Sequence, residues 1–368
     1  MRSDVYRRLQ QHFDGFPLRF PATESGVELR LLKHLFSPEE AEIALAIGCG
    51  YPGLFETYES LEVIFDRITH LDYSLEDVEM HLDNMVKKGS IMGVTIDGSK
   101  IYANALLIIG IYEFQVDKLT KEFQEAFDQY LSEAWGPANR DINVRQMRTI
   151  PVGIELEHEN PIARYDDIKG LFEQSSGPFS IINCICRQSS DILGNPCQVT
   201  DRREVCMGMG EMARMYNELG WGREITKEEA LGYLKQNEDD GLIFQLGNSQ
   251  EMDFVCSCCS CCCGGLVSLK RIPNPADYTS SNYFAVIDEE SCSGCGNCVE
   301  RCQMDAITLE DDIANIREKR CIGCGNCIIG CPENAINLIV KDNPEIPPLT
   351  TSDLFSKITE AREKLDGM

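Results

Sequence analysis

Eight cysteines near the C-terminus fall into two copies of one spacing, and few patterns restrict a chain more. Cys292, Cys295, Cys298 and Cys302 form C-x2-C-x2-C-x3-C. Cys321, Cys324, Cys327 and Cys331 repeat it 29 residues later, with Pro332 after the last. Thiolates at every third residue can wrap one face of an iron–sulfur cube. The fourth lies too far along to cap the same cube and serves its neighbour. Zinc sites usually pair two knuckles from separate stretches and fit a doubled four-cysteine run poorly.

From about Tyr283 to Val340 the chain resembles a bacterial two-cluster ferredoxin, with Gly294, Gly296, Gly323 and Gly325 between the cysteines. The resemblance implies two [4Fe–4S] clusters. Cys292, Cys295, Cys298 and Cys331 would share the first, and Cys321, Cys324, Cys327 and Cys302 the second. The first motif departs from the pattern at Gln303, where a proline often sits. That change relaxes the backbone after Cys302 and alters the hydrogen bonding open to one cluster.

The remaining cysteines extend the theme. The chain has 368 residues and 19 cysteines. Its first residues, MRSDVYRRLQQHFDGF, hold no apolar stretch or small-residue cleavage site, so no secretory signal is expected. No run of about 18 apolar residues predicts a membrane span. Reduced thiols in a cytoplasmic chain read as metal ligands, and oxygen-labile clusters suit an anaerobic or low-potential cytoplasm. A net charge of −26, from 34 basic and 60 acidic residues, opposes nucleic-acid binding and favours docking on a basic patch of a protein partner.

Ten cysteines lie between residues 140 and about 275: Cys184, Cys186, Cys197 and Cys206, then Cys256, Cys258, Cys259, Cys261, Cys262 and Cys263, followed by Gly264-Gly265. A helical hairpin, Gly208 to Leu219 and then a helix from the capping box Thr226-x-x-Glu229, would bring the two groups together. In an extended backbone Cys256, Cys258 and Cys262 would face one way and Cys259, Cys261 and Cys263 the other. The pattern predicts one or two additional iron–sulfur clusters; a structural zinc site and plainly buried thiols are the alternatives. Arg187, next to Cys186, is a candidate donor to a thiolate or sulfide, against a surface arginine. The ensemble resembles long iron–sulfur proteins of anaerobic microbes in which C-x-C-R and a cysteine-dense run precede a ferredoxin module. That resemblance implies redox work only.

The rest predicts an α+β chain in four parts: a mostly helical, winged-helix-like domain (1–136), the cysteine-rich domain (137–279), the ferredoxin domain (280–342) and a helical tail (343–368). Helices are expected from Ser37 to Ile47, Leu61 to Ile68 and Ser74 to Gly89, then a hairpin on Asp97-Gly98. Tyr112 to Trp135 reads as one amphipathic helix stopped by Gly136-Pro137, and Thr149 to Leu156 as a strand. Four acids in the first nine positions of the third helix argue for protein binding over DNA. Gly208-x-Gly210-x-x-Ala213 lacks the preceding strand and βαβ unit of a dinucleotide site. Cys49 reads as a small buried hydrophobe, and the five histidines, His158 among them, have no metal spacing.

These features together predict an iron–sulfur electron-transfer protein, or such a subunit of an oxidoreductase, with a flavoprotein or another oxidoreductase as partner. Two readings compete with it. One is a catalytic redox subunit with a substrate-binding cluster at Cys256–Cys263, and the other a redox-sensing regulator.

Overall fold

The computed structural model describes residues 4–51, 54–153, 163–175 and 177–367. Pro52, Gly53, His158 and the distal part of the strand expected to reach Leu156 lie outside them. Helices and strands are mixed throughout, and the chain divides into two compact units.

The first unit comprises Met1–Val144, Gly210–Arg223 and Phe355–Met368. Helix Pro38–Ala44 opens on a reciprocal cap, Ser37 accepting from the Glu40 N–H while Glu40 accepts from the Ser37 N–H at 2.7 Å. Helices Leu61–Arg67 and Leu75–Lys88 follow, the latter closed by Gly89 at φ 75°. Ile64, Val78, Leu82 and Met85 are wholly buried, as the 3.6-residue spacing requires. The hairpin pairs Met92–Ile96 with Ser99–Ala103 through Asp97 and Gly98, both at positive φ. Asp77 is spent as a cap, and Lys100 on the hairpin pairs with Glu79 (2.9 Å) and Asp83 (2.6 Å).

The expected long helix is broken. Asp117, at φ 61°, ends a short turn, and Thr120 caps a new helix, Lys121–Tyr130. Its stripe does pack, with Phe123, Phe127 and Tyr130 buried. Gly136-Pro137 does not stop the chain either. After a wide turn at Leu131–Trp135, helix Gly136–Arg140 begins with Pro137 in its first turn, where a missing N–H costs nothing.

The second unit, Arg145–Met209 and Glu224–Leu354, carries 18 of the cysteines. Its sheet runs in the order Met147–Ile150, Ile243–Gly247, Phe254–Cys258, Glu204–Met209, Phe179–Asn183, with Arg223–Ile225 at the edge. Helix Lys227–Asp239, begun by the expected Thr226 cap, packs Ala230 and Leu234 against Phe179, Ile181 and Met207. A strand, not a helix, runs through Gly208, and the next helix starts at Gly210. The sheet therefore does the work expected of a helical hairpin: Met207 pairs with Val255, which sets Cys206 beside Cys256. A strand does precede Gly210, against expectation, but both of its neighbours are antiparallel, so no βαβ unit forms.

Residues 283–340 build two antiparallel ladders, Tyr283–Ile287 with Ile336–Val340 and Ile307–Glu310 with Ile313–Ile316. Two short helices, Asn297–Arg301 and Asn326–Ile329, each start from a glycine at positive φ, Gly296 and Gly325.

Candidate metal centres

The eight motif cysteines gather into two groups across the pseudo-symmetric ladders. Cys292, Cys295, Cys298 and Cys331 line one cavity together with Gly294, Leu309 and Ile336. Cys302 lies close enough to Cys321, Cys324 and Cys327 to act on each of them electrostatically. Backbone amides point at the sulfurs. Ala306 N–H donates to Cys302 Sγ at 3.2 Å and Ala335 N–H to Cys331 Sγ at 3.3 Å, each four residues downstream. Ala285 N–H donates to Cys321 Sγ at 3.4 Å. Burial pushes the Cys324 thiol up to about 12 and raises Cys321, Cys327 and Cys298 as well. Such thiols become thiolates only beside a cation, which is what iron supplies. The cradle is tight: a Cβ on Gly325, at φ 79°, would stand 2.0 Å from the Val152 carbonyl oxygen. The donor set, the cavity and the N–H···S bonds fit iron–sulfur clusters.

Residues 285–338 match the family model of the 4Fe-4S dicluster domain. The chain carries a ferredoxin-type iron–sulfur module. No curated protein matches the chain. Among the described residues no helix is long and apolar enough to cross a membrane.

The other ten cysteines of this unit separate into six and four. Thiol contacts run Cys184–Cys186–Cys263–Cys258–Cys256–Cys206 and back to Cys184, a closed ring. Cys184 is held well below the usual thiol range by Cys186 and Cys206, and Cys263 by Cys186 and Cys258. Cys186 is raised by Cys184 and Cys263, Cys258 by Cys256 and Cys263, and Cys206 by Cys184, against a lowering from Cys256. The remaining four, Cys197, Cys259, Cys261 and Cys262, have Sγ atoms all within 4.8 Å of one another.

This division corrects the strict alternation expected of the dense run. Cys256 and Cys258 do share one face of strand Phe254–Cys258. The chain then turns: the Cys262 and Cys263 N–H groups both donate to the Cys259 carbonyl, at 3.3 and 3.0 Å. The turn exchanges the last two thiols, sending Cys262 to the four and Cys263, which begins helix Gly264–Arg271, to the six. Cys184 likewise precedes helix Ile185–Ile192 at the end of a strand.

Arg187 is no surface residue. It is 0% exposed, Nη1 donates to the Ser257 carbonyl at 3.0 Å, and Nε and Nη2 reach no hydrogen-bond partner. Burial works against its charge, but the thiols of Cys184, Cys259, Cys206 and Cys197 outweigh that and raise its pKa. It is a buried cation facing members of both groups.

Gln303 also has a role its sequence position did not announce. Its Oε1 accepts from the Ser260 N–H at 2.7 Å, and its Nε2 donates to the Gly241 carbonyl. The residue after Cys302 thus ties the ferredoxin module to the cysteine-dense turn. A proline has neither group, and that was the one available signal. Beneath the clamp, Cys302 and Cys324 pack into the same apolar cluster as Cys256, Cys258 and Cys263, around Ile243, Leu266, Met304 and Ile322. Cys49 belongs to the other unit. It is half-buried, and burial pushes its thiol up to about 12.

Proposed function

We propose that this chain is an electron-transfer protein, or the electron-transfer subunit of an oxidoreductase, in which the ferredoxin module exchanges single electrons with further metal–thiolate centres of the cysteine-rich region. Cys292, Cys295, Cys298 and Cys331 would hold one [4Fe–4S] cluster, and Cys321, Cys324, Cys327 and Cys302 the other. When bound, each cluster takes up and gives back one electron. The residues do the rest. The amides of Ala285, Ala306 and Ala335 stabilise sulfur that gains charge on reduction. The apolar side chains between the sites keep water out.

The observation that carries this reading is the shared apolar cluster. It sets Cys302 and Cys324 in one packed group with three thiols of the six-membered ring, so the two sites are packed neighbours. The apolar cluster around Cys184, Val205, Leu242 and Cys259 then continues to Cys197, Cys261 and Cys262. The six-thiol ring suits a polynuclear iron–sulfur centre, because six thiols exceed what one tetrahedral ion takes and, among the described residues, no three of their sulfurs all lie within 4.8 Å of one another. The winged-helix-like segment, with acids on helix Leu75–Lys88, suits docking of a basic protein partner, a flavoprotein or another oxidoreductase, better than DNA. A reducing cytoplasm is the setting such sites require.

Anaerobic purification with iron and sulfide counts, followed by EPR of the dithionite-reduced protein, tests the reading. We expect more than about eight irons per chain, since each cube holds about four, and signals beyond those of two interacting cubes. A colourless protein, or one whose iron cannot be reduced, would end it.

A further inference from the structure

We infer that Cys197, Cys259, Cys261 and Cys262 form a tetrahedral tetrathiolate site for one metal ion, Zn²⁺ or Fe²⁺, rather than the ligand set of a further cube. The sulfur–sulfur separations decide between the two. Cys197 Sγ lies 3.6 Å from Cys259 Sγ and 3.8 Å from Cys261 Sγ, and Cys261 Sγ lies 3.4 Å from Cys259 Sγ and 3.7 Å from Cys262 Sγ. Four sulfurs at about 2.3 Å from one central ion sit about 3.8 Å apart, the edge of a tetrahedron. In a cube each thiolate binds its own iron, so the four stand outside a multi-iron body and do not touch. Disulfides are excluded as well, since a bonded pair would be at about 2.05 Å.

The ferredoxin module supplies an internal comparison. Its Cys292, Cys295, Cys298 and Cys331 surround a cavity. Among the described residues, only the Cys197 group brings three or more possible ligand atoms all within 4.8 Å of one another. One chain therefore holds thiol quartets of two kinds, one spread around space and one closed on a point.

The surroundings agree with a closed site. Three ligands come from a single turn and the fourth from the loop after helix Ile185–Ile192. Donors reach the sulfurs from outside: the Gln198 backbone towards Cys261 and the Ser190 side chain towards Cys262. Four thiolates around a divalent ion leave a net charge of −2, and the Arg187 guanidinium lies near Cys259 and Cys197 to offset it. Loading is an exchange without electron transfer: four S–H protons leave, four metal–sulfur bonds form, and the metal keeps its oxidation state. With four protein ligands no position stays open, so the site holds the turn in shape rather than binding substrate.

This inference does not depend on the relay. X-ray absorption on the unaltered full chain, purified without oxygen, reads it directly alongside elemental analysis. We expect either one zinc per chain with about four sulfurs at about 2.3 Å, or one iron with a mononuclear, sulfide-free Mössbauer signature; the two arms distinguish the metals. Cys197→Ser should lose one metal equivalent while the EPR of the reduced ferredoxin clusters persists. Absence of both signatures in the unaltered chain, or loss of about four irons in Cys197→Ser, would overturn the single-ion site. Loss of the ferredoxin EPR in the unaltered chain would instead count against the relay alone.

Discussion

Replacing Arg187 by methionine removes a charge while keeping most of the side chain's length. The guanidinium is wholly buried, donates once to the Ser257 carbonyl and faces Cys184 and Cys206 of the six-thiol ring. A unit charge about 6 Å from the site of electron gain, at an effective dielectric of about 20, contributes roughly 2–3 kcal/mol. One electron converts about 1.4 kcal/mol into about 59 mV, so a centre held by the ring should fall by about 100 mV. An EPR-monitored redox titration reads each centre separately. The two ferredoxin signals, screened by intervening protein, should move far less, and Arg187→Lys, which keeps the charge but not the planar fork, should give a smaller drop. A shift under about 20 mV at every centre, well below the Coulomb figure, would refute the placement of this cation as counter-charge. Equal shifts at all centres would point to a global disturbance.

Two further substitutions probe the scaffold. Gln303→Leu strands the Ser260 N–H, while the Gly241 carbonyl keeps its bond from Asn326 Nδ2; we expect a loss of about 1–3 kcal/mol and faster amide exchange across residues 259–263, and unchanged exchange there would discount the clamp. Gly325→Ala and Gly98→Ala form a matched pair. Both positions have φ near 80°, but the added methyl meets the Val152 carbonyl in the first and nothing within 4 Å in the second. Gly98→Ala should cost only the backbone term of about 1–2 kcal/mol, whereas Gly325→Ala should cost more and bleach at lower temperature, as thermal melts followed in the visible band would record.

Local signals were legible wherever the chemistry is local. The Ser37, Ser74 and Thr226 caps, the Asp97-Gly98 turn and the ferredoxin spacing each rest on contacts within a few residues, and each appears where expected. The long helix failed at Asp117 because an apolar stripe can continue across a break when both pieces face the same core. The fate of Cys262 and Cys263 was not legible, since it depends on one turn closed by the Cys259 carbonyl, and glycine-flanked cysteines carry no turn signature of their own. Arg187 read equally well as a surface residue because burial comes from the sheet pairing of distant strands. Gln303 was visible as a departure, but its partners, Ser260 and Gly241, lie 43 and 62 residues away.

Cys262 and Cys263 are joined by one peptide bond yet belong to different thiol groups. Consecutive Cα atoms of a trans peptide are fixed at about 3.8 Å, and the bond between the residues does not rotate freely. Whatever contraction accompanies filling of the four-thiol site is therefore handed to the ring as a pull on its Cys263 corner. The two thiol groups thus share a single covalent link, and filling of the four-thiol site should be felt first at the Cys263 corner of the ring.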